Sequence, residues 1–169
     1  MRKKPETDKW IRVANENDVP LILSFIKELG EYERMSDMIV ASEELLSEWL
    51  FGKRIAEVIF AVENGKEVGF ALFFHNFSTF LGRGGIYLED LYVKEEFRGR
   101  GHGRSLITAL ARITVERDCG RLEWSCLDWN RPSIDFYLSL GAERMDEWTV
   151  YRLSGENLKK FAGEVRTDV

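Results

Sequence analysis

The stretch EEFRGRGHGRSL, residues 95–106, constrains the fold more than any other segment. Three glycines and three arginines fall within the seven residues Arg98 to Arg104. Before it runs IYLEDLYV, residues 86–93, whose β-branched and aromatic side chains predict a strand. After it, Leu106, Leu110 and Ile113 recur at helical spacing, which predicts a helix from about Arg104 to Asp118, with Gly120 at its end. A helix N-terminus carries unpaired N–H groups and partial positive charge, so it attracts anions. Gly99, Gly101 and Gly103 would let a bulky anion approach the backbone, with His102 between them. Arg98, Arg100 and Arg104 suit phosphate oxygens. The loop therefore reads as a pyrophosphate cradle. A Walker loop is excluded, because Gly103 is followed by Arg104-Ser105 rather than Lys-Ser/Thr. A dinucleotide fingerprint is excluded as well, because Arg104 stands where its third glycine belongs. The remaining alternative is a tight connection with ordinary surface arginines.

The rest of the chain supplies a sheet and its covering helices. Trp10 to Ala14 reads as a first strand, and Asn17 or Asp18 as the cap of a helix with Pro20 in its first turn. Ile22, Phe25, Ile26 and Leu29 form that helix's buried face, and the helix reaches Tyr32. Ser42 starts a second short helix that Gly52 stops. The period then changes to two. Val58–Glu63 and a strand carrying Val68, Phe70, Leu72 and Phe74 flank the hairpin signal Asn64-Gly65. Ser78 to Gly85 reads as a glycine-rich loop. Further strands are expected at Leu122–Cys126, near Ala142–Met145 and at Trp148–Leu153. Helices are expected at Pro132–Leu140 and from Ser154. The order β-α-α-β-β-β-α-β-α-β-β describes one α/β domain with a mixed sheet over residues 1–169, with 1–9 as a frayed lead-in.

The composition excludes several classes. No run of about 18 apolar residues occurs, so no membrane partner is expected. The N-terminal MRKKPETDKW lacks an apolar stretch behind its charges, so no secretory signal is expected. Two cysteines, Cys119 and Cys126, fit a reducing cytoplasm. With only His75 and His102 beside them, no metal site is expected. A net charge of −5 argues against nucleic acid as a partner.

The pattern Arg98-x-x-Gly101-x-Gly103 resembles the acetyl-coenzyme A signature of the GNAT superfamily of N-acetyltransferases. The element order resembles that fold over nearly the whole chain. A second segment, Asn130-Arg131-Pro132-Ser133 through Phe136-Tyr137 to Gly141-Ala142, is similar to the family's N-x-x-S/A-x-x-F-Y-x-x-x-G-F/A segment. Together FIKELGEYERM, YLEDLYV, FRGRGHG and NRPSIDFY resemble the diamine acetyltransferase branch, which acts on spermidine, spermine and thialysine. This resemblance implies a central sheet splayed between its fourth and fifth strands. It implies that the pantetheine arm of acetyl-CoA pairs with the exposed edge at Leu91, Tyr92 and Val93, and that Gly99 to Arg104 hold the pyrophosphate. Asn130, Arg131, Pro132 and Ser133 are implied to lie against the coenzyme.

The chemistry sets further requirements. An alkylamine has a pKa of about 10.4 and must lose a proton before it attacks a thioester. Glu89 or Asp90 could receive that proton, directly or through water. They point to opposite faces of a regular strand unless a bulge intervenes. The family carries such a bulge, and the resemblance makes Glu89 the substrate-side carboxylate, with Asp90 also readable as a satisfied structural acid. Tyr137 is implied as the general acid for the thiolate, its bland alternative being a core aromatic beside Phe136. Tyr32, Glu33, Glu123, Trp124, Ser125 and Trp148 are implied to border the amine, where aromatic walls beside carboxylates suit an ammonium ion. Core packing is the other reading of Trp124 and Trp148.

One departure narrows the substrate. The polyamine enzyme carries an acidic residue in the loop before its YLED motif. Ser78 to Gly85 contains none and has Arg83 instead. The loop looks more like the thialysine type, which accepts a shorter amine. The expected protein is thus a cytoplasmic, homodimeric N-acetyltransferase that uses acetyl-CoA, without metal, on a small cationic amine. Its rivals are a GNAT enzyme for protein lysine or N-terminal amines, and a non-catalytic acyl-CoA-binding module.

Overall fold

A computed structural model describes residues 9–164, which divide between Ser125 and Cys126 into two compact units. The first unit holds β1 (Lys9–Val13), α1 (Val19–Tyr32), α2 (Glu43–Leu46, continuing as a wider turn over Ser47–Gly52), β2 (Glu57–Glu63), β3 (Lys66–Ser78), β4 (Arg83–Val93), α3 (His102–Glu116) and β5 (Leu122–Trp124). The strands form one mixed sheet in sequence order. The first four are antiparallel, and β5 is parallel to β4. Of the expected frayed lead-in, residues 1–8 lie outside the described residues, whereas Lys9 already pairs with Glu63 in β1.

Alternation on β2 and β3 gives the sheet two faces. Val58, Phe60, Val62, Phe70 and Leu72 form one buried cluster with Ile22, Phe25 and Leu29 of α1. Phe25 stacks on Phe70 with ring centroids 5.1 Å apart. Full burial of such a side chain contributes about 1.5–3 kcal/mol, so this cluster firmly sets the end of α1, where Tyr32 and Glu33 stand. The alternate residues Ile59, Ala71 and Phe73 are also buried, and α3, with Leu106 and Leu110 fully buried, contacts β2, β3 and β4. Helices thereby flank the sheet.

Several boundaries differ from the sequence reading. Asp18, one of the two expected residues, stands at the N-cap of α1 but makes no side-chain capping bond there, and Asn15 caps the short 3-10 turn Glu16–Asp18 that leads into the helix. The Asn15 side chain accepts from the Asn17 N–H while Asp18 accepts from the Asn15 N–H, a reciprocal box formed one turn earlier. The expected loop Ser78–Gly85 shrinks to residues 79–82, because β3 and β4 pair out to Ser78 and Arg83. Helix α3 starts at His102, two residues before the expected Arg104, since the positive φ of Gly101 (+90°) ends the preceding turn.

The second unit holds α4 (Arg131–Ser139) and α5 (Gly155–Ala162). Gly141, at φ +85°, follows the end of α4. The strands expected at Ala142–Met145 and Trp148–Leu153 do not form among the described residues. Trp148–Leu153 has strand-like composition but no ladder partner among the described residues, and composition alone cannot supply one.

Candidate active site

The feature that organises the site is where strand pairing stops. Strand β5 pairs with β4 only through Ile86, Tyr87 and Leu88. Beyond Leu88 the outer edge of β4, including Leu91, Tyr92 and Val93, has no strand partner among the described residues. Such an edge presents unpaired N–H and C=O groups to an extended ligand. The opening expected between the fourth and fifth strands is therefore present.

At the same point β4 carries a bulge. Leu72 of β3 faces Asp90 and Phe73 faces Leu88, so Glu89 is the extra residue. A bulge re-aims side chains and breaks strict alternation. Glu89 is exposed and Asp90 is half-buried. Burial, then the negative charges of Glu89 and Glu33, push the Asp90 carboxyl up to about 7. Burial also raises the Glu33 carboxyl. The charges of Glu89 on β4 and of Glu33 at the end of α1 both act on Asp90, which makes this a place for a cation or a proton.

The glycine loop continues from β4. Gly99 and Gly101 have φ of +72° and +90°, a region that suits glycine. A Cβ at either would meet nothing within 4 Å, so the space beside them is open. The N–H groups of residues 99–104 have no acceptor among the described residues. An unpaired run of donors at the start of a fifteen-residue helix fits an anion, which supports the pyrophosphate reading.

The three arginines differ in their surroundings. Nε of Arg98 donates to the Val93 carbonyl at 2.9 Å, and the guanidinium lies 4.7 Å over the Tyr32 ring and 5.5 Å over Tyr92. Arg100 donates to Glu63 and to the Glu96 carbonyl. Both brace the loop. Arg104 is exposed, with no partner among the described residues. Sequence reasoning missed Glu63, which ends β2 and lies against His102 at 2.5 Å. Nothing local marks it, since the pairing spans 39 positions.

The remaining candidates fall in both units. Glu123 accepts from Asn76 Nδ2 at 3.1 Å and lies 2.8 Å from Arg121, so its charge is already met. Ser125 shares a 2.7 Å hydrogen bond with the Tyr87 hydroxyl. Trp124 is half-buried opposite Leu88, at the last β4–β5 pair. In the second unit, buried Asn130 caps α4 by accepting from the Ser133 N–H. Arg131 and Pro132 form the first helical turn, with Arg131 paired to Asp135. Tyr137 packs near Phe136, ring centroids 5.4 Å apart. Trp148 is 72% exposed. Among the described residues no group of His, Cys, Asp and Glu could hold a metal ion, and no helix is long and apolar enough to cross a membrane.

Comparison with known proteins agrees with this geometry. Residues 23–142 match the family model described as Acetyltransferase (GNAT) family. A thialysine N-epsilon-acetyltransferase of Bos taurus is 39% identical over 166 residues, spanning 91% of this chain and 97% of its own. An L-ornithine N5-acetyltransferase of Arabidopsis thaliana is 30% identical, spanning 88% of this chain and 86% of its own. An integron cassette protein from the mobile metagenome of V. cholerae superposes with a TM-score of 0.77 at 31% identity, over 92% of this chain and 98% of its own. The open β4 edge, the donor-rich glycine loop and the matched residues converge: the chain belongs to the GNAT family of acetyltransferases, enzymes that take their acetyl group from acetyl-CoA.

Proposed function

We propose that this protein moves the acetyl group of acetyl-CoA to a primary amine of a small cationic substrate, a lysine-like amino acid or short diamine. The observation that carries this reading is the carboxylate cluster Glu33, Glu89 and Asp90 at the bulge where β5 leaves β4. Relatives named for thialysine and ornithine support a short amine. The coenzyme supplies a thioester acyl group. The cluster binds the ammonium ion and takes its proton. Glu89 is the exposed acceptor, directly or through water, and Asp90, near half-protonation at neutral pH, is best matched to hold the proton. As the amine nitrogen bonds to the acetyl carbon and the carbon–sulfur bond breaks, the Tyr137 hydroxyl gives its proton to the leaving sulfur and is restored by the second proton that the nitrogen sheds as it becomes an amide. A backbone N–H of the open β4 edge stabilises the transient oxyanion, an effect of about 3 kcal/mol for one good donor. Residues 91–93 receive the pantetheine arm and residues 99–104 the pyrophosphate, with Asn130 to Ser133 lying along the coenzyme. Tyr32, Trp124 and Trp148 wall the amine.

The family match runs across the division at Ser125, which supports a single N-acetyltransferase domain. We place the protein in the cytoplasm, with neither nucleic acid nor membrane as partner and no metal in the reaction. We take it to be a homodimer, in which a second copy covers the extended apolar stretch with exposed Trp148, Val150 and Tyr151. The deciding experiment is thiol release from acetyl-CoA with spermine, spermidine, a short diamine, ornithine, lysine and thialysine in turn. Turnover with a short amine is expected. Activity on none of them, with activity on a peptide amine, would overturn the substrate class.

A further inference from the structure

One side chain in the coenzyme loop has no part in the reaction above. His102 opens α3, where a polar residue ordinarily faces solvent, yet it is 3% exposed. Its Nε2 lies 2.5 Å from Oε2 of Glu63. Glu63 is the last residue of β2, 4% exposed, and its Oε1 accepts from Nη1 of Arg100 at 3.1 Å. Arg100 is fixed further: Nη2 donates to the Glu96 carbonyl at 2.9 Å, and the guanidinium lies 5.0 Å over the Phe97 ring. Lys9 Nζ donates to the Arg100 carbonyl at 2.9 Å.

The residues that Glu63 holds are the two neighbours of Gly101, whose backbone is left-handed. A glycine-rich loop has more conformations to lose on ordering than any other segment, and each alternative scatters its N–H groups. A carboxylate that grips the chain on both sides of such a residue removes most of that freedom before a ligand arrives. A buried carboxylate is tolerated only when its charge is met. Here the hydrogen bond from His102, then Arg100, keeps the Glu63 acid below its ordinary range.

We propose that Glu63 is a positioning residue for the coenzyme: by holding Arg100 and His102, it sets the backbone N–H groups of residues 99–104 to receive the pyrophosphate. The proposal rests on the acetyl-CoA reading above. It assigns Arg100 to Glu63 rather than to phosphate, and leaves Arg104 as the cation of this loop that meets the ligand.

Calorimetry with coenzyme A on the full chain tests it, using Glu63→Gln, Arg100→Met, the double variant and Arg104→Ala. Glu63→Gln should bind about 10–100-fold more weakly, as expected when a pre-organised site must be ordered by its ligand. Its kcat at saturation and its KM for the amine should stay within about threefold of wild type. The double variant should bind within about threefold of Glu63→Gln alone, because residues acting as one unit are not additive. Wild-type affinity in folded Glu63→Gln, or effects of Glu63 and Arg100 that multiply, would overturn the proposal. Should Glu63→Gln fail to fold, Arg100→Met carries the test, since that side chain is 48% exposed. Its loss in affinity should be equal at low and high salt, unlike that of Arg104→Ala; a loss that salt abolishes would place Arg100 on the phosphate and sink the idea. A wild-type protein that binds no coenzyme A would refute the acetyltransferase reading itself, whereas wild-type binding matched by Glu63→Gln would refute only the role of Glu63.

Discussion

The site contains two kinds of acid, and the fold treats them in opposite ways. Glu63, behind the coenzyme loop, has both oxygens occupied by the side chains of His102 and Arg100, and its acid is held below the ordinary 4.5. Asp90, on the β4 bulge, is half-buried with Glu89 and Glu33 as its charged neighbours, and its acid rises to about 7. On the reading proposed above, the first arrangement fixes a backbone, and the second leaves negative charge unmet for a cationic amine that must lose a proton. One side of the site is built for rigidity and the other for proton exchange.

Breaking the anion cradle should have the largest effect. Gly101→Glu puts a carboxylate and a left-handed non-glycine residue where the pyrophosphate belongs. Coenzyme affinity should fall by at least about 100-fold in a folded protein, as like charges meet at close range. Calorimetry checks this, and unchanged affinity would remove the cradle from the account.

Tyr137→Phe keeps the ring beside Phe136 and removes only the hydroxyl. Turnover should fall about 10–1000-fold, the range for losing a general acid, with coenzyme affinity nearly unchanged. Wild-type turnover would return Tyr137 to the role of a packing residue.

Asp90→Asn probes the acidic side. It should lower kcat/KM by about 10–100-fold, and remove an ionisation near 7 from the pH profile. Stability should move the other way. A folded pKa of about 7 lies above the ordinary 3.8, so the folded state binds the extra proton, and wild-type stability declines as pH rises from about 4 to about 7. The gain in Tm from Asp90→Asn should therefore be larger near pH 8 than near pH 4; equal gains would show that Asp90 is not perturbed.

The smallest effect concerns chain length of the substrate. The turn at residues 79–82 adds no carboxylate, and the charge of Glu123 is met by Arg121. A distant second ammonium therefore finds little to pair with. Spermine should exceed the best short amine in kcat/KM by less than about tenfold, or about 1.4 kcal/mol. A hundredfold preference would reveal a further acidic anchor.

The acidic side was less legible in the sequence than the coenzyme side, for physical reasons. A glycine loop between a strand and a helix is written locally: the period changes from two to 3.6 across Arg98–Arg104, and the glycines permit positive φ. The buried faces of α1 and β3 were readable in the same way. The bulge at Glu89 is a matter of register between β3 and β4, which no single strand encodes, and it was expected only through the family resemblance. The hold of Glu63 on His102 is a contact across 39 positions that brings a polar residue into the interior. The unpaired stretch after Gly141 shows the opposite failure: WTVYRL has strand composition, and a strand forms only with a partner. The role split among Arg98, Arg100 and Arg104 was hidden for a similar reason. Three arginines in one loop look equivalent until Val93, Tyr32 and Glu63 are seen to occupy two of them.

A carboxyl-carbon NMR titration of the free protein tests the contrast between the two acids most directly. The account predicts that Asp90 titrates at about 7 while Glu63 stays ionised to below 4.5. An Asp90 midpoint near 3.8, or a Glu63 midpoint above 4.5, would contradict it.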